Sequence, residues 1–112
     1  MSIAELCIAA IDADVQHNGQ RRLYWGTIRY VHEDETGAWF NLGWRGAPSL
    51  KLESKFLAEL MESKGIDDAE DLQGAAFLYY GPMRQARTSG RLLLFPKDLD
   101  WFTVRLADED DF

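Results

Sequence analysis

Alternation of apolar with polar positions is the main pattern of the chain, and it predicts a mainly β domain. Aromatic and β-branched residues fill segments 23–32 and 38–45, and the polar, glycine-ended segment 33–37 between them has the composition of a hairpin loop. Segment 50–53 predicts a short third strand. Three later strands are predicted at 72–80, 91–95 and 101–106, the first of them ended by Gly81 and Pro82.

One helix interrupts these strands. It is predicted to begin with Ser54 as its N-cap and to end before Gly65, which stands where a C-terminal cap belongs. Its buried face follows helical spacing through Phe56, Leu57, Leu60 and Met61. The apolar spacing of segment 2–15 predicts a second, short N-terminal helix, and a strand over 6–11 is the alternative there.

The order of these elements predicts a fold. Three strands, a helix and two further strands, the last broken at 96–100, match an OB-type barrel with one helix between strands 3 and 4. We therefore predict a five-stranded OB-type β-barrel over residues 1–106, followed by an acidic C-terminal tail at 107–112. An open α+β roll, with the helix packed on one sheet face, would give the same order and stays the alternative.

Composition and charge narrow the function classes. Cys7 is the single cysteine, and no apolar run approaches the roughly 20 residues that span a bilayer, so we expect a cytoplasmic protein without a membrane partner. The net charge of −7 argues against a general affinity for polyanions. Segment 73–97 nevertheless contains no acidic residue and four basic ones, so the negative charge is segregated.

Residues that could support catalysis or metal binding are sparse. His17 and His32 lie in or beside predicted turns without metal-ligand spacing, and no nucleophile or phosphate-loop motif is present. Two carboxylate pairs at i, i+2 suit solvated turns, namely Asp12 with Asp14 and Asp98 with Asp100. We expect neither an enzyme nor a cofactor.

The aromatic strands carry the strongest indication of function. Strand alternation places Trp25 on one face with Arg29, and Trp39 on one face with Arg45. Because arginines do not belong in a small core, these faces are expected to point outward. Exposed aromatic rings beside cations suit single-stranded nucleic acid, since each stacked base contributes about 1–3 kcal/mol. The alternative is that the tryptophans are core residues, packed under the helix or the N-terminal segment.

A basic loop extends this prediction. Segment 82–91 carries Arg84, Arg87 and Arg91, and in an OB barrel the loop between strands 4 and 5 flanks the ligand groove. These arginines are predicted to contact phosphates, and Tyr79 is predicted to add a stacking surface. A solvated hairpin tip is the alternative interpretation of the loop.

The chain ends in four acids and a phenylalanine: Asp108, Glu109, Asp110, Asp111 and Phe112. Together with the strand order of residues 21–106, this ending resembles the single-stranded DNA-binding proteins of bacteria and phages, an OB-fold family whose acidic tip recruits replication and repair proteins. The family's long linker before the tip and its usual proline before the last phenylalanine are absent here.

The resemblance implies a non-catalytic single-stranded DNA-binding protein of a bacterium, phage or mobile element, with residues 108–112 recruiting partner proteins. Exposed sheet edges add the expectation of a homo-oligomer. The alternative function, favoured by the net charge, is an acidic protein-interaction module such as an inhibitor, an assembly factor or a nucleic-acid mimic.

Overall fold

Strands make up most of the regular structure. The computed structural model describes residues 6–13, 15–43 and 47–107, and within these ranges it contains eight strands and one α-helix. The helix, α1, spans Ser54–Lys64. The strands are β1 (Cys7–Ala9), β2 (Arg21–Thr27), β3 (Tyr30–Asp34), β4 (Gly37–Asn41), β5 (Ser49–Glu53), β6 (Ala76–Gln85), β7 (Leu92–Leu94) and β8 (Phe102–Arg105).

The strands form one mixed sheet. Their order is β1-β2-β6-β7-β5-β4-β3, and β8 pairs with β6 beside this path. The β1–β2 and β5–β7 pairs are parallel, and the other pairs are antiparallel. The path is open at β1 and β3, so strand pairing does not close the sheet into a barrel. The mainly β fold is confirmed, whereas the closed five-stranded barrel is not.

The predicted strand 23–32 is divided at Ile28 and Arg29. The Ile28 N–H donates to the Ala75 carbonyl and the Arg29 N–H to the Asn41 carbonyl, each at 2.8 Å, so successive amides serve different neighbouring segments. Regular alternation would bury Tyr30 with Ile28, yet Tyr30 is 62% exposed. The chain therefore bends between β2 and β3 and the inward–outward phase changes.

The predicted break at Gly81 and Pro82 is wrong, because β6 continues through both residues. Along one edge β6 pairs with β2 as far as Pro82 opposite Arg21. Along its other edge β8 pairs up to Tyr79 and β7 pairs from Met83, so positions 80–82 lie in a gap between these two partners. A proline costs little where the ladder is interrupted, since no donor is required there.

Helix α1 ends as predicted and begins slightly differently. Gly65 has a φ of 67° and caps the C-terminus in the left-handed conformation that favours glycine. At the other end Glu53, not Ser54, occupies the N-cap position, and its side chain makes no capping hydrogen bond. The buried residues of α1 are Phe56, Leu57 and Leu60, and Met61 packs at the edge of the core.

The core lies between α1 and the inner face of the sheet. Phe56 of α1 packs edge-on against Phe102 of β8 with ring centroids 5.8 Å apart, and Phe102 stacks on Phe77 of β6 at 6.2 Å. Paired positions carry an apolar row across five strands, comprising Val31, Phe40, Leu50, Leu94 and Met83. Burial of these large side chains is the main stabilising contribution to the fold.

At the N-terminal end of the described chain, Cys7–Ala9 forms strand β1, parallel to β2. A strand is the alternative that the sequence left open for this segment, and residues 1–5 of the predicted helix lie outside the described residues. In the described part of the chain no helix is long and apolar enough to cross a membrane.

Candidate functional site

A row of outward-facing positions crosses five strands of the sheet. Direct Cα partners connect β3 to β4, β5, β7 and β6 in turn, next to the apolar inner row. We call this set the outer row: Tyr30, Asn41, Ser49, Leu93 and Arg84. Because successive residues of a strand face opposite sides, the outer row lies on the face opposite the inner row. Tyr30, Asn41 and Arg84 are exposed there, whereas Ser49 is only 2% exposed.

Trp39 lies on the same outer face as Asn41, two residues before it along β4. Its neighbours across the sheet are His32 on β3 and Lys51 on β5. The Lys51 ammonium lies 4.5 Å from the centroid of the Trp39 ring, and Lys51 itself is only 4% exposed. Lys51 therefore covers one face of the indole, and Trp39 as a whole is partly exposed.

Asp34 fixes both of these side chains. Its carboxylate accepts a hydrogen bond from the Trp39 indole N–H at 2.9 Å and lies 3.4 Å from the Lys51 ammonium, which also bonds the Thr36 hydroxyl. Hydrogen bonds from the Thr36 hydroxyl and N–H hold the pKa of Asp34 well below its usual range, and Trp39 and Lys51 lower it further. The network holds the indole in one orientation on the sheet.

The lowered pKa of Asp34 predicts a specific pH dependence of stability. The charged carboxylate stabilises the folded state fully above the ordinary pKa of 3.8, and this contribution is lost as pH falls below that value. Asp34→Asn should therefore lower the thermal midpoint at neutral pH, and the difference from wild type should shrink on acidification. Thermal melts between about pH 3 and pH 7 test this, with Glu35→Gln in the same turn as control. An equal difference at both pH values would contradict it.

A small pocket adjoins Trp39 on the outer face. It has a volume of about 240 Å³, and its lining includes Tyr30, Trp39, Asn41, Ser49 and Arg91. The Arg91 guanidinium donates to the Ser49 hydroxyl at 3.1 Å, which holds the cation of the β6–β7 loop beside β5. The pocket therefore combines the rings of Tyr30 and Trp39 with an amide side chain and a positive charge.

A larger groove adjoins the Arg84 end of the outer row. It has a volume of about 580 Å³, and its described lining contains the cations Arg21, Arg84 and Lys97 and the acid Asp98. Its aromatic lining includes Phe95 and the ring pair of Tyr80 and Trp101, whose centroids are 5.6 Å apart. We call it the Tyr80–Trp101 groove.

Charge is distributed unevenly over the described surface. Among the described residues, neither the small pocket beside Trp39, here called the Trp39 pocket, nor the outer row contains an acidic residue. Acids line the cavities on the α1 side of the molecule. Those acids include Glu53, Glu59, Glu62 and Asp67. The net-negative chain thus presents a locally positive surface that carries Arg91, Arg84 and Lys97. We call this surface the track; it follows the outer row from the Trp39 pocket to the Tyr80–Trp101 groove.

The two predicted stacking tryptophans are both at least partly exposed, but they lie on different parts of the sheet. Trp25 is 50% exposed on β2, opposite Leu78 of β6 and Ala9 of β1. Trp39 is paired within β3, β4 and β5. The bend between β2 and β3 separates the two strand regions, so Trp25 is not part of the outer row.

Tyr79 does not present a stacking surface. It is 4% exposed, its ring stacks on Tyr24 at 6.3 Å, and its hydroxyl donates to the Pro82 carbonyl at 3.0 Å. Burial raises the pKa of Tyr79. Inward alternation on β6 places the Tyr79 ring in the core, which leaves little of its surface for the predicted stacking of a base.

The predicted arginines occupy different positions. Arg84 lies on the outer row and Arg91 in the Trp39 pocket, while Arg87 is exposed in the turn between β6 and β7. Arg29 is exposed at the bend beside Asn41. Arg45 and the acidic tail at 108–112 lie outside the described residues.

Sequence reasoning missed the Tyr80–Trp101 groove. Lys97 belongs to the acid-free segment, and Trp101 is the first residue of a predicted strand, so both could have been suspected. Arg21 gave no such signal, because only the pairing of β2 with β6 brings it to the groove.

No family model matches the chain, and no curated protein matches its sequence. Function must therefore be inferred from the chemistry of the surface.

Among the described residues no cluster of three or more metal-ligating side chains occurs. The Asp98 carboxylate accepts the Asp100 N–H at 2.9 Å and caps the 3₁₀ turn Leu99–Trp101.

Proposed function

We propose that the protein binds single-stranded DNA on its outer sheet face without catalysing a reaction. The observation that supports this best is the outer row, which joins the Trp39 pocket to the Tyr80–Trp101 groove by fixed strand register. Aromatic rings for bases and cations for phosphates occur at both ends of the outer row, and a single strand requires both kinds of group. Trp39 and Tyr30 stack bases in this proposal, and Arg91 and Arg84 neutralise phosphates.

We further propose that the strands follow an OB-type arrangement, in which β2 and β3 are two halves of one bent strand. The single helix between β5 and β6 supports this proposal, as does the parallel pairing of β5 with β7. In OB folds the second and third strands and the loop between the fourth and fifth bind oligonucleotides. The corresponding parts here are β4, β5 and the β6–β7 loop, where Trp39, Ser49 and Arg91 lie.

A fluorescence titration tests the proposal. Oligo-dT should quench the tryptophan emission saturably, whereas duplex of equal length should bind much more weakly, because stacked and paired bases cannot reach the indole. The affinity for oligo-dT should fall with salt, with a slope of about 0.7 for each phosphate contacted. Equal affinity for the two nucleic acids, or no saturable change with either, would refute the proposed function.

The acidic tail is proposed to recruit replication or repair proteins, as the resemblance implies. Its four carboxylates also repel phosphates at long range. Deleting residues 108–112 should therefore raise the affinity for oligo-dT modestly at low salt, by a factor that vanishes at high salt. A variant with Asp108, Glu109, Asp110 and Asp111 replaced by Asn or Gln separates charge from length. Unchanged affinity in both variants at low salt would contradict the expectation.

An acidic protein-interaction module stays the second candidate, because one observation favours it. An apolar surface is exposed on β2, β6 and the turn before β8, where Trp25 is 50%, Leu78 39% and Trp101 57% exposed. Exposed apolar groups of this kind often mark protein contacts. If the protein is an acidic interaction module, neither oligo-dT nor duplex should change the tryptophan fluorescence. This result would distinguish the module from a single-stranded DNA-binding protein.

A further inference from the structure

Two cavities with different chemistry meet at Tyr80 and Trp101. One is the Tyr80–Trp101 groove with its three cations. The other, which we call the apolar cleft, has a volume of about 360 Å³ and includes Leu23, Leu78 and Leu99. Among the residues that the structure describes, no cation lines the apolar cleft, and Tyr80 and Trp101 line both cavities. The rings thus form the boundary between a cationic compartment and an apolar one.

This pairing matches the two ends of a nucleotide. A phosphate needs charged donors, which Arg21, Arg84 and Lys97 supply together. A base needs a flat apolar environment with ring contacts, which Tyr80 and Trp101 provide at the entrance to the cleft. The volumes lie within the usual range of small-molecule sites.

Two acidic residues that line these cavities indicate where a bound strand stops. Asp98 lines the groove at the chain segment before the 3₁₀ turn, and Asp100 lines the apolar cleft. A backbone that continued past the rings would bring its next phosphate towards these carboxylates, which would repel it. The outer row beyond Arg84, by contrast, contains no acidic residue, and Asp34 beside Trp39 is paired with the Lys51 ammonium.

We propose, building on the function proposed above, that this double cavity binds the phosphorylated end of a single strand. The terminal phosphomonoester lies among Arg21, Arg84 and Lys97, and the last base enters the apolar cleft past Tyr80 and Trp101. A terminal phosphomonoester carries about −1.5 to −2 charge at neutral pH, more than an internal diester, so three cations favour it. The strand then runs from Arg84 along the outer row to Trp39.

Calorimetric titration with oligo-dT of defined ends tests the proposal. The probes are a trinucleotide and an oligomer of about 20 nucleotides, each unphosphorylated, 5′-phosphorylated or 3′-phosphorylated. One terminal phosphate should raise the affinity about tenfold, since it adds charge-assisted hydrogen bonds. The end that gives the increase identifies the polarity of the bound strand.

Two double variants test where the terminal phosphate binds. The double variant Arg21→Gln/Lys97→Gln should abolish the increase, whereas Lys64→Gln/Arg105→Gln, which removes the same charge elsewhere, should keep it. All four side chains are at least partly exposed, so the fold should survive. Trp101→Ala, also exposed, should weaken trinucleotide binding about tenfold through loss of stacking.

The outcomes separate this proposal from the function on which it builds. Binding of the longer oligomer with no effect of either terminal phosphate overturns the terminal site alone. Phosphate-dependent trinucleotide binding without added affinity for the longer oligomer supports the terminal site and refutes the track along the outer row. An increase that persists in Arg21→Gln/Lys97→Gln overturns the assigned location, and absence of all binding overturns both proposals.

Discussion

Replacing Arg84 and Arg91 together with alanine should lower the affinity for oligo-dT about tenfold to a hundredfold at low salt. These arginines lie at two points of the outer face, Arg84 on β6 and Arg91 beside Ser49 on β5. Each is expected to release counterions from one phosphate, so the slope of log affinity against log salt should fall by about 1.4. The measurement is a salt series of fluorescence titrations on wild type and variant.

Two control variants make this prediction specific. Lys64→Ala/Arg105→Ala removes the same net charge from the end of α1 and from β8, and should leave the salt slope unchanged. Arg87→Ala alone should have a small effect, because Arg87 is exposed in the turn and not on the outer row. If the two double variants lose affinity equally, net charge and not the track determines binding, and the assigned site is wrong.

Trp39→Ala should weaken binding of oligo-dT by about 1–3 kcal/mol through loss of base stacking. The domain should stay folded, because Lys51 keeps its contacts with Asp34 and Thr36 when the ring is removed. The fluorescence quenching that comes from Trp39 should also disappear, whereas quenching of Trp101 in the Tyr80–Trp101 groove should remain. Affinity and quenching are read in one titration, and a thermal melt checks the fold.

Trp25→Ala is the matched control for Trp39→Ala, because Trp25 is more exposed but lies away from the outer row. It should leave the affinity within about twofold of wild type. Trp39→Phe should retain part of the lost affinity, since a smaller ring can still stack. A larger loss from Trp25→Ala than from Trp39→Ala would move the binding surface to β2 and β6.

The sequence predicts those parts of the fold that depend on local burial patterns. The alternation in β4 correctly places Phe40 inside and Trp39 outside, and the spacing of Phe56, Leu57 and Leu60 correctly predicts the buried face of α1. These patterns are reliable here because each face of a strand or helix meets one environment along its whole length.

The parts that the sequence could not predict depend on distant partners. The bend at Ile28 and Arg29 exists because two consecutive amides bond to Ala75 and Asn41, which are far from each other in sequence. That bend separates Trp25 from Trp39, although strand alternation alone placed them on one face. Pro82 stays within β6 because β7 and β8 leave a gap opposite it, which no local pattern reveals.

The residues of the candidate site likewise divide into those that the sequence could predict and those that it could not. Trp39, Arg84 and Arg91 could be selected from residue type and alternation, because exposed rings and cations are distinctive in an acidic chain. The Tyr80–Trp101 groove could not, since it assembles residues from β2, β6 and the segment between β7 and β8. Only strand pairing brings Arg21 into the same cavity as Lys97.

The most direct test of the central claim is a map of backbone and indole N–H chemical shifts during titration with oligo-dT. The proposed track predicts saturable shifts at Asn41, Ser49, Leu93 and Arg84 and at the Trp39 indole, with α1 unchanged. Shifts confined to α1 or to the surface around Trp25 and Leu78, or no saturable shifts at all, would contradict binding along the outer row.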